Sequence, residues 1–226
     1  MLGIYFISIV FMIIGWLVSN KLKRKFEEYS KTPISSGLTG QEIAMRMLRD
    51  NGIQDVKVIS VEGRLTDHYN PLDKTVNLST DVFNGRNAAA SAVAAHECGH
   101  AVQHANAYSM LKLRSALVPI VSIASSWMHW VLLAGIMMVN TFPSLLLFGI
   151  ALFACTTLFS LITLPVEFDA SNRALAWLET SGVSNSHEHA QSKDALWWAA
   201  MTYVVAALSA IATLLYYVMI YLGRRD

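Results

Sequence analysis

Four long stretches of the chain carry no charged residue, and polar segments separate them. These stretches are residues 2–19, 116–139, 144–165 and 196–223. A helix rises about 1.5 Å per residue, so each stretch can cross a hydrocarbon core of about 30 Å, the first only just. The pattern therefore predicts four transmembrane helices.

The polar segment after the first stretch carries the signals of an amphipathic helix. Thr39 and Glu42 have the spacing of a capping box, in which each side chain bonds the backbone of the other. An apolar stripe follows, made of Ile43, Met47 and Leu48. Gly52 is a residue type that ends helices, so we predict a helix between Thr39 and Gly52.

Two short β-strands are predicted between this helix and the second apolar stretch. Spaced valines mark the first strand, at 56–61, and the second comprises residues 75–78. Turn residues separate the two strands, at Gly63 and at 70–73. The second strand either offers an open edge to an extended peptide or packs as part of a hairpin on the next helix. The sequence does not choose between these alternatives.

The apolar and polar segments divide the chain into five parts. We predict an N-terminal transmembrane anchor (1–20), a cytoplasmic α+β unit (21–115), a transmembrane hairpin (116–165), a cytoplasmic segment (166–195), and a fourth transmembrane helix with a tail (196–226). The predicted fold class is a mainly α integral membrane protein with a small α+β unit.

Composition and charge agree with a membrane protein and indicate which side is cytoplasmic. Hydrophobic residues make up 54% of the 226 residues and charged residues only 15%, against about a quarter in soluble domains. Thirteen of the 17 Lys and Arg residues lie between Lys21 and Arg114, which favours a cytoplasmic location for this segment. Two arginines in the tail, at 224 and 225, oppose this tendency and leave the direction of the last span open. A net charge of +1 carries no nucleic-acid signature, and two cysteines, at 98 and 155, indicate no disulfide.

A candidate metal site begins with His96 and His100, in an alanine-rich run from 87 to 107 that predicts a helix. Residues four apart lie on one face of a helix, so both imidazoles can bind one metal ion. Glu97 lies about 100° round the helix, beside the metal, where it can take a proton from an attacking water. A zinc hydrolase needs this arrangement; two ordinary helix histidines are the alternative.

Catalytic zinc ordinarily has three protein ligands, so a third one is required. His104 continues the four-residue spacing, but it lies about 12 Å along the helix axis from His96 and points past the metal. Glu167 and Asp169 are acidic residues that follow the third apolar stretch, on the predicted cytoplasmic side. On a helix they point about 200° apart, so at most one faces the zinc. We favour Glu167 and keep Asp169 as the alternative.

The motif His96-Glu97-Cys98-Gly99-His100, together with residues 164–171, resembles the YugP-type family of membrane-bound neutral zinc metallopeptidases. Residues 65–71 and 76–79 resemble the same family, and the likeness extends over nearly the whole chain. The resemblance implies a gluzincin-like unit that binds one zinc ion per chain. Its implied ligands are His96, His100 and Glu167, with Glu97 as the general base.

More distantly, the pattern is similar to HtpX-like and CAAX-prenyl proteases. The HtpX-like pattern has an aspartate four residues after the ligand glutamate, where this chain has Ser171. The resemblance therefore leaves open which residue supports a ligand histidine. Ser171 and Asn172 are the candidates.

These features predict a zinc endopeptidase of the bacterial cytoplasmic membrane, multi-pass, with its active site on the cytoplasmic side. Its expected partners are the lipid bilayer and polypeptide substrates, by position and resemblance membrane or misfolded proteins. A non-catalytic zinc-containing scaffold or adaptor and a zinc hydrolase of lipids are the alternatives. His68, Tyr69 and Arg173 are candidates to stabilise an oxyanion, and a lipid phosphate is an equal alternative partner for Arg173.

A second group of histidines lies nearer the end of the chain. His187 and His189 flank Glu188 in a polar stretch. We interpret this stretch as a solvated loop rather than a second metal site.

Overall fold

The structure, a computed structural model, describes residues 2–63 and 65–223, and only the backbone of Leu2. The last three residues, with the two tail arginines that bear on the direction of the last span, lie outside the described residues. Within this part the chain is mainly helical, with one small sheet. Its elements are α1 (Leu2–Tyr29), α2 (Gly40–Asp50), β1 (Lys57–Val61), β2 (His68–Asn70), β3 (Thr75–Ser79), α3 (Thr80–Phe83), α4 (Ala88–Ala105), α5 (Ser109–Met137), α6 (Pro143–Thr180) and α7 (Ser186–Gly223).

Four helices among the described residues are long and apolar enough to cross a membrane, as predicted. They are Gly3–Tyr29, Ser109–Met137, Pro143–Thr180 and Ser186–Gly223. Each extends beyond its uncharged stretch, because the helix continues into the neighbouring polar segment. In α6 the helix passes through Pro165 and continues to Thr180, so Glu167 and Asp169 belong to the same helix as the third apolar stretch.

The chain forms two compact units. The first comprises Met1–Leu17, Lys112–Leu164 and Thr202–Asp226, and it holds the apolar parts of the four long helices. Glycine allows close helix packing inside this unit, since a Cβ at Gly135 of α5 would lie 2.6 Å from Leu146 Cα of α6.

The second unit comprises Val18–Leu111 and Pro165–Met201. Its core includes completely buried side chains from α2, β3 and α4, among them Ile43, Leu78 and Cys98. The predicted capping box of α2 is confirmed: Thr39 N donates to Glu42 Oε2 at 2.7 Å, and Glu42 N donates to Thr39 Oγ1 at 3.2 Å. Gly52 follows the helix with a φ of +72°, a left-handed conformation that glycine adopts without strain.

The sheet of this unit has three strands in the order β1-β3-β2. The central strand β3 pairs with β1 in parallel and with β2 antiparallel, with Val58 opposite Val76 and Tyr69 opposite Val76 from the other side. The sequence pattern did not predict β2, and it indicated a hairpin for the other two strands. The suggestion that residues 75–78 offer an open edge to a peptide is wrong, because β1 pairs with all of β3 on one edge and β2 pairs with Thr75–Asn77 on the other.

The polar stretch around Glu188 is not a solvated loop, so this prediction was wrong. Asn185 Oδ1 accepts hydrogen bonds from the backbone N–H groups of His187 and Glu188, both at 3.0 Å, at the start of α7. Glu188 is 4% exposed and accepts hydrogen bonds from Ser35 N and Ser35 Oγ, both at 2.9 Å. Among the described residues, neither histidine of this stretch belongs to a group that could hold a metal ion.

Candidate metal centre

Helix α4 carries the predicted motif, His96 to His100, and most of its side chains are buried inside the second unit. Its first turn is capped by Asn87, whose Oδ1 accepts a hydrogen bond from Ala90 N at 2.9 Å. The helix is rich in alanine, and most of its side chains are buried, so neighbouring elements can approach its backbone closely. The closest approach is at Gly99, where a Cβ would lie only 2.5 Å from the carbonyl oxygen of Ala170 in α6.

The close packing brings three ligand-type atoms together. Glu167 Oε2 lies 3.4 Å from His96 Nε2 and 3.6 Å from His100 Nε2. Among the described residues, these three side chains are the group whose ligand atoms all lie within 4.8 Å of one another. The sequence-predicted residues therefore converge, although 67 positions separate His100 from Glu167.

The donor set fits zinc in chemistry and in spacing. Zinc binds imidazole nitrogen and carboxylate oxygen at about 2.0–2.2 Å, and the corners of a tetrahedron of that size are about 3.4 Å apart. The two distances from Glu167 Oε2, 3.4 and 3.6 Å, are close to this edge length. The side chain of Glu167 is 4% exposed, so its charge is stabilised mainly by the two imidazoles rather than by water.

Electrostatics around His100 favour a positive charge at this point. Burial alone would lower the pKa of His100, but the ion pair with the Glu167 carboxylate raises the pKa above its usual value. The charge of Glu97 acts in the same direction. A cation of another kind, such as a metal ion, is stabilised by the same carboxylates.

Glu97 and Cys98 have different surroundings. Glu97 is 8% exposed, on the turn that carries His96, and it does not belong to the group of three ligand-type side chains. Cys98 is completely buried, and burial raises the pKa of its thiol, so this thiol stays protonated and unreactive.

The hydroxyl of Ser171 contacts Nδ1 of His96, the ring nitrogen that does not face Glu167. Ser171 Oγ lies 3.1 Å from His96 Nδ1, which leaves Nε2 directed toward Glu167. Of the two candidates from the sequence, Ser171 therefore makes the supporting contact, whereas Asn172 is exposed.

Gln103, which the sequence pattern did not indicate, contacts the other histidine, His100. Its Oε1 lies 3.0 Å from His100 Nδ1, and its Nε2 donates to Val166 O at 2.7 Å and to Asp169 Oδ2 at 2.8 Å. The only local signal was its position three residues after His100, on the same side of the helix. Its partners in α6 are 63 and 66 residues away, and nothing in the local sequence indicates them.

The remaining candidates have partners away from the three ligand-type atoms. Asp169, the alternative third ligand, accepts from Arg173 Nε at 2.6 Å as well as from Gln103. His104 is not among the candidate ligands; its Nδ1 lies 2.7 Å from the hydroxyl of Tyr69. His68 is exposed on β2, with Nδ1 2.7 Å from Thr66 O.

Comparisons with known proteins give two matches of nearly full length. The model of a family described as "Putative neutral zinc metallopeptidase" matches residues 4–222. The "Putative membrane protease YugP" of Bacillus subtilis (strain 168) is 42% identical over 221 residues, which cover 98% of this chain and 97% of the relative. No solved structure matches. The family match includes all three ligand-type residues and Glu97.

Proposed function

The chain belongs to the neutral zinc metallopeptidase family, and we infer from this membership that it is a membrane-embedded, zinc-dependent endopeptidase. The observation that carries the proposal is the convergence of three zinc-type donors, with a glutamate next to the first of them. Glu167 Oε2 lies within 3.6 Å of both histidine Nε2 atoms, and Glu97 is the next residue after His96.

We assign the zinc ligands as His96, His100 and Glu167, one ion per chain. When bound, zinc would supply a Lewis acid that makes a water molecule far more acidic than bulk water, with a pKa of about 7. Glu97 has the role of general base: its carboxylate accepts a proton from the attacking water and then returns it to the amine nitrogen of the leaving group. Its 8% exposure keeps bulk water from competing for that proton.

The proposed substrates are polypeptides, especially membrane or misfolded proteins. The name of the relative from Bacillus subtilis, "Putative membrane protease YugP", supports polypeptides as the substrate class. We further propose that the protein crosses the bacterial cytoplasmic membrane four times and that its site faces the cytoplasm. The concentration of 13 of 17 basic residues between Lys21 and Arg114 supports this orientation.

The proposal is tested by measuring metal content and cleavage on the same purified variants. Glu97→Gln should retain about one zinc per chain and cut an unfolded protein such as casein about 10²- to 10⁴-fold more slowly, since it loses the general base. Glu167→Ala should lose zinc during dialysis and therefore lose cleavage as well. Glu179→Gln, an exposed position further along α6, is the matched control and should behave like the natural protein.

Three results would count against parts of the proposal. Full activity in Glu97→Gln would exclude the assigned general base. Full zinc content in Glu167→Ala would exclude the assigned third ligand. A natural protein that holds zinc but cleaves no polypeptide would favour the non-catalytic scaffold, and cleavage of lipids instead would favour the lipid hydrolase.

A further inference from the structure

Gln103 joins the two helices that carry the candidate ligands. Its side chain is 0% exposed and makes three short polar contacts, one within α4 and two to α6. The α6 partners, Val166 and Asp169, lie on either side of Glu167 in the sequence. A single buried amide therefore touches one candidate ligand and the backbone that holds another.

The chemistry of these partners determines which way the amide of Gln103 faces. A backbone carbonyl oxygen and a carboxylate oxygen accept hydrogen bonds, so the group facing Val166 O and Asp169 Oδ2 must be the NH₂ group. Asp169 is itself bonded to Arg173 Nε at 2.6 Å, and arginine keeps its proton. The carboxylate is thereby held as an acceptor, and the carbonyl oxygen of Gln103 is left facing His100.

The orientation of Gln103 in turn determines the tautomer of His100. Because Gln103 Oε1 can only accept, His100 Nδ1, at 3.0 Å, must carry a proton. The neutral ring then has its lone pair on Nε2, the atom that lies 3.6 Å from Glu167 Oε2. That is the tautomer in which Nε2 can bind a metal ion.

Ser171 cannot impose the same choice on His96. A hydroxyl both donates and accepts, so its contact with His96 Nδ1 at 3.1 Å is compatible with either tautomer. The two histidines are therefore supported unequally. In the chain Arg173–Asp169–Gln103, each hydrogen bond has only one possible donor and one possible acceptor. The hydroxyl of Ser171 can act as either donor or acceptor.

We propose that Gln103 is a positioning residue that holds His100 in its metal-binding tautomer and fixes the Val166–Asp169 segment around Glu167. This inference rests on the proposed zinc site, and it adds a residue that contacts neither the substrate nor the metal. It also gives Asp169 and Arg173 a common role, since together they orient the amide.

The test reads the tautomer directly in metal-free protein. Histidines are labelled with ¹⁵N, the His100 signals are assigned with a His100→Gln variant, and ring-nitrogen shifts are measured at an alkaline pH at which the His100 signals no longer change with pH. The natural protein should show a protonated Nδ1 and a bare Nε2 at His100. Gln103→Met, which keeps the volume but has no amide, should show a mixture containing the Nε2-protonated form.

Zinc affinity supplies the second readout. Gln103→Met should bind zinc about 10- to 100-fold more weakly, the usual cost of losing a partner of a ligand histidine. Ser171→Ala should lose less than Gln103→Met. Gln191→Met is the control, since that amide lies on α7 with its Nε2 3.2 Å from His187 Nε2; its zinc affinity and His100 tautomer should be unchanged.

Two further variants keep the test decisive if Gln103→Met does not fold. Gln103→Glu still accepts from His100 Nδ1 and should keep the tautomer, but it places a like charge beside Asp169 and should weaken zinc binding. Asp169→Asn removes the carboxylate acceptor but leaves Val166 O to hold the NH₂ group, so it should keep His100 mainly Nδ1-protonated and lower zinc affinity less than Gln103→Met does. A single Nδ1-protonated form with unchanged zinc affinity in Gln103→Met, or a largely Nε2-protonated His100 in Gln103→Glu, would overturn the proposal. The tautomer is measured without metal or substrate. A failure of the proposal for Gln103 can therefore be distinguished from a failure of the proposed peptidase function.

Discussion

His100 has two carboxylates and an amide as neighbours. These groups affect the pKa of His100, and the pKa determines how strongly protons compete with zinc at the proposed site. This pKa lies above the ordinary value of 6.5, since the ion pair with Glu167 outweighs the opposing effect of burial. In the proposed site zinc would bind the unprotonated ring, so each ion would displace the proton that His100 holds below its pKa.

We therefore expect zinc affinity to start falling at a pH above 6.5 as the solution is acidified. Below the pKa of His100 the decline should be about tenfold per pH unit for each proton displaced. The measurement is zinc binding between pH 8.5 and 5.5, with an indicator calibrated at each pH. An affinity that stays constant down to pH 6 would contradict the raised pKa.

At the residue scale, the two histidines and the supporting Ser171 were predictable, and Gln103 was not. His96 and His100 are four apart on one helix, and helix geometry alone places them together. Glu167 and Asp169 differ only in their direction around α6, and the packing of Gly99 against Ala170 decides which of them meets the histidines. Tertiary packing of this kind leaves no mark in the local sequence, which is also why Gln103 was missed.

At the element scale, the approach of α4 to α6 depends on the absence of a side chain at Gly99. An added Cβ would meet the backbone of Ala170 at 2.5 Å, and backbone atoms in a helix cannot move aside cheaply. We expect Gly99→Ala to lower the free energy of unfolding by about 1–3 kcal/mol through overpacking, and to weaken zinc binding. Thermal unfolding of the metal-free variant in detergent, followed by zinc titration, measures both effects.

The control for this substitution is Gly15→Ala in α1. A Cβ there would lie 4.0 Å from Val205 Cγ1, an ordinary contact, and alanine favours a helix over glycine. This variant should be as stable as the natural protein or slightly more so. Equal stability of Gly99→Ala and the natural protein would show that the two helices can separate without cost.

The elements themselves were predictable to different degrees. Helix α2 was found because Thr39, Glu42 and Gly52 are local signals of its ends. Strand β2 has only three residues, His68–Asn70, and carries no alternation that a pattern could reveal. The parallel pairing of β1 with β3 was missed because an apolar pattern indicates a strand but does not name its partner.

At the scale of the whole molecule, the proposed orientation in the membrane can be tested with two single cysteines. Leu72 is 92% exposed in the turn between β2 and β3, and Thr141 is exposed in the turn between α5 and α6. In intact cells, a membrane-impermeant maleimide should label Thr141→Cys at once and Leu72→Cys only after permeabilisation. Cys98 is fully buried, so a Cys155→Ser background keeps unwanted labelling low. The reverse labelling pattern would place the candidate site outside the cell.

The proposed ligands lie far apart in the sequence, and this separation determines when the site can form during synthesis on the ribosome. Glu167 is made 67 residues after His100, and all of α5 and the apolar part of α6 lie between them. At about 5–20 residues per second, this interval lasts about 3–13 seconds. During that time the nascent chain holds two of the three proposed ligands, so the proposed zinc site cannot be complete until the second and third apolar helices have been synthesised. A chain that stalls before this point would lack Glu167 and therefore the proposed activity.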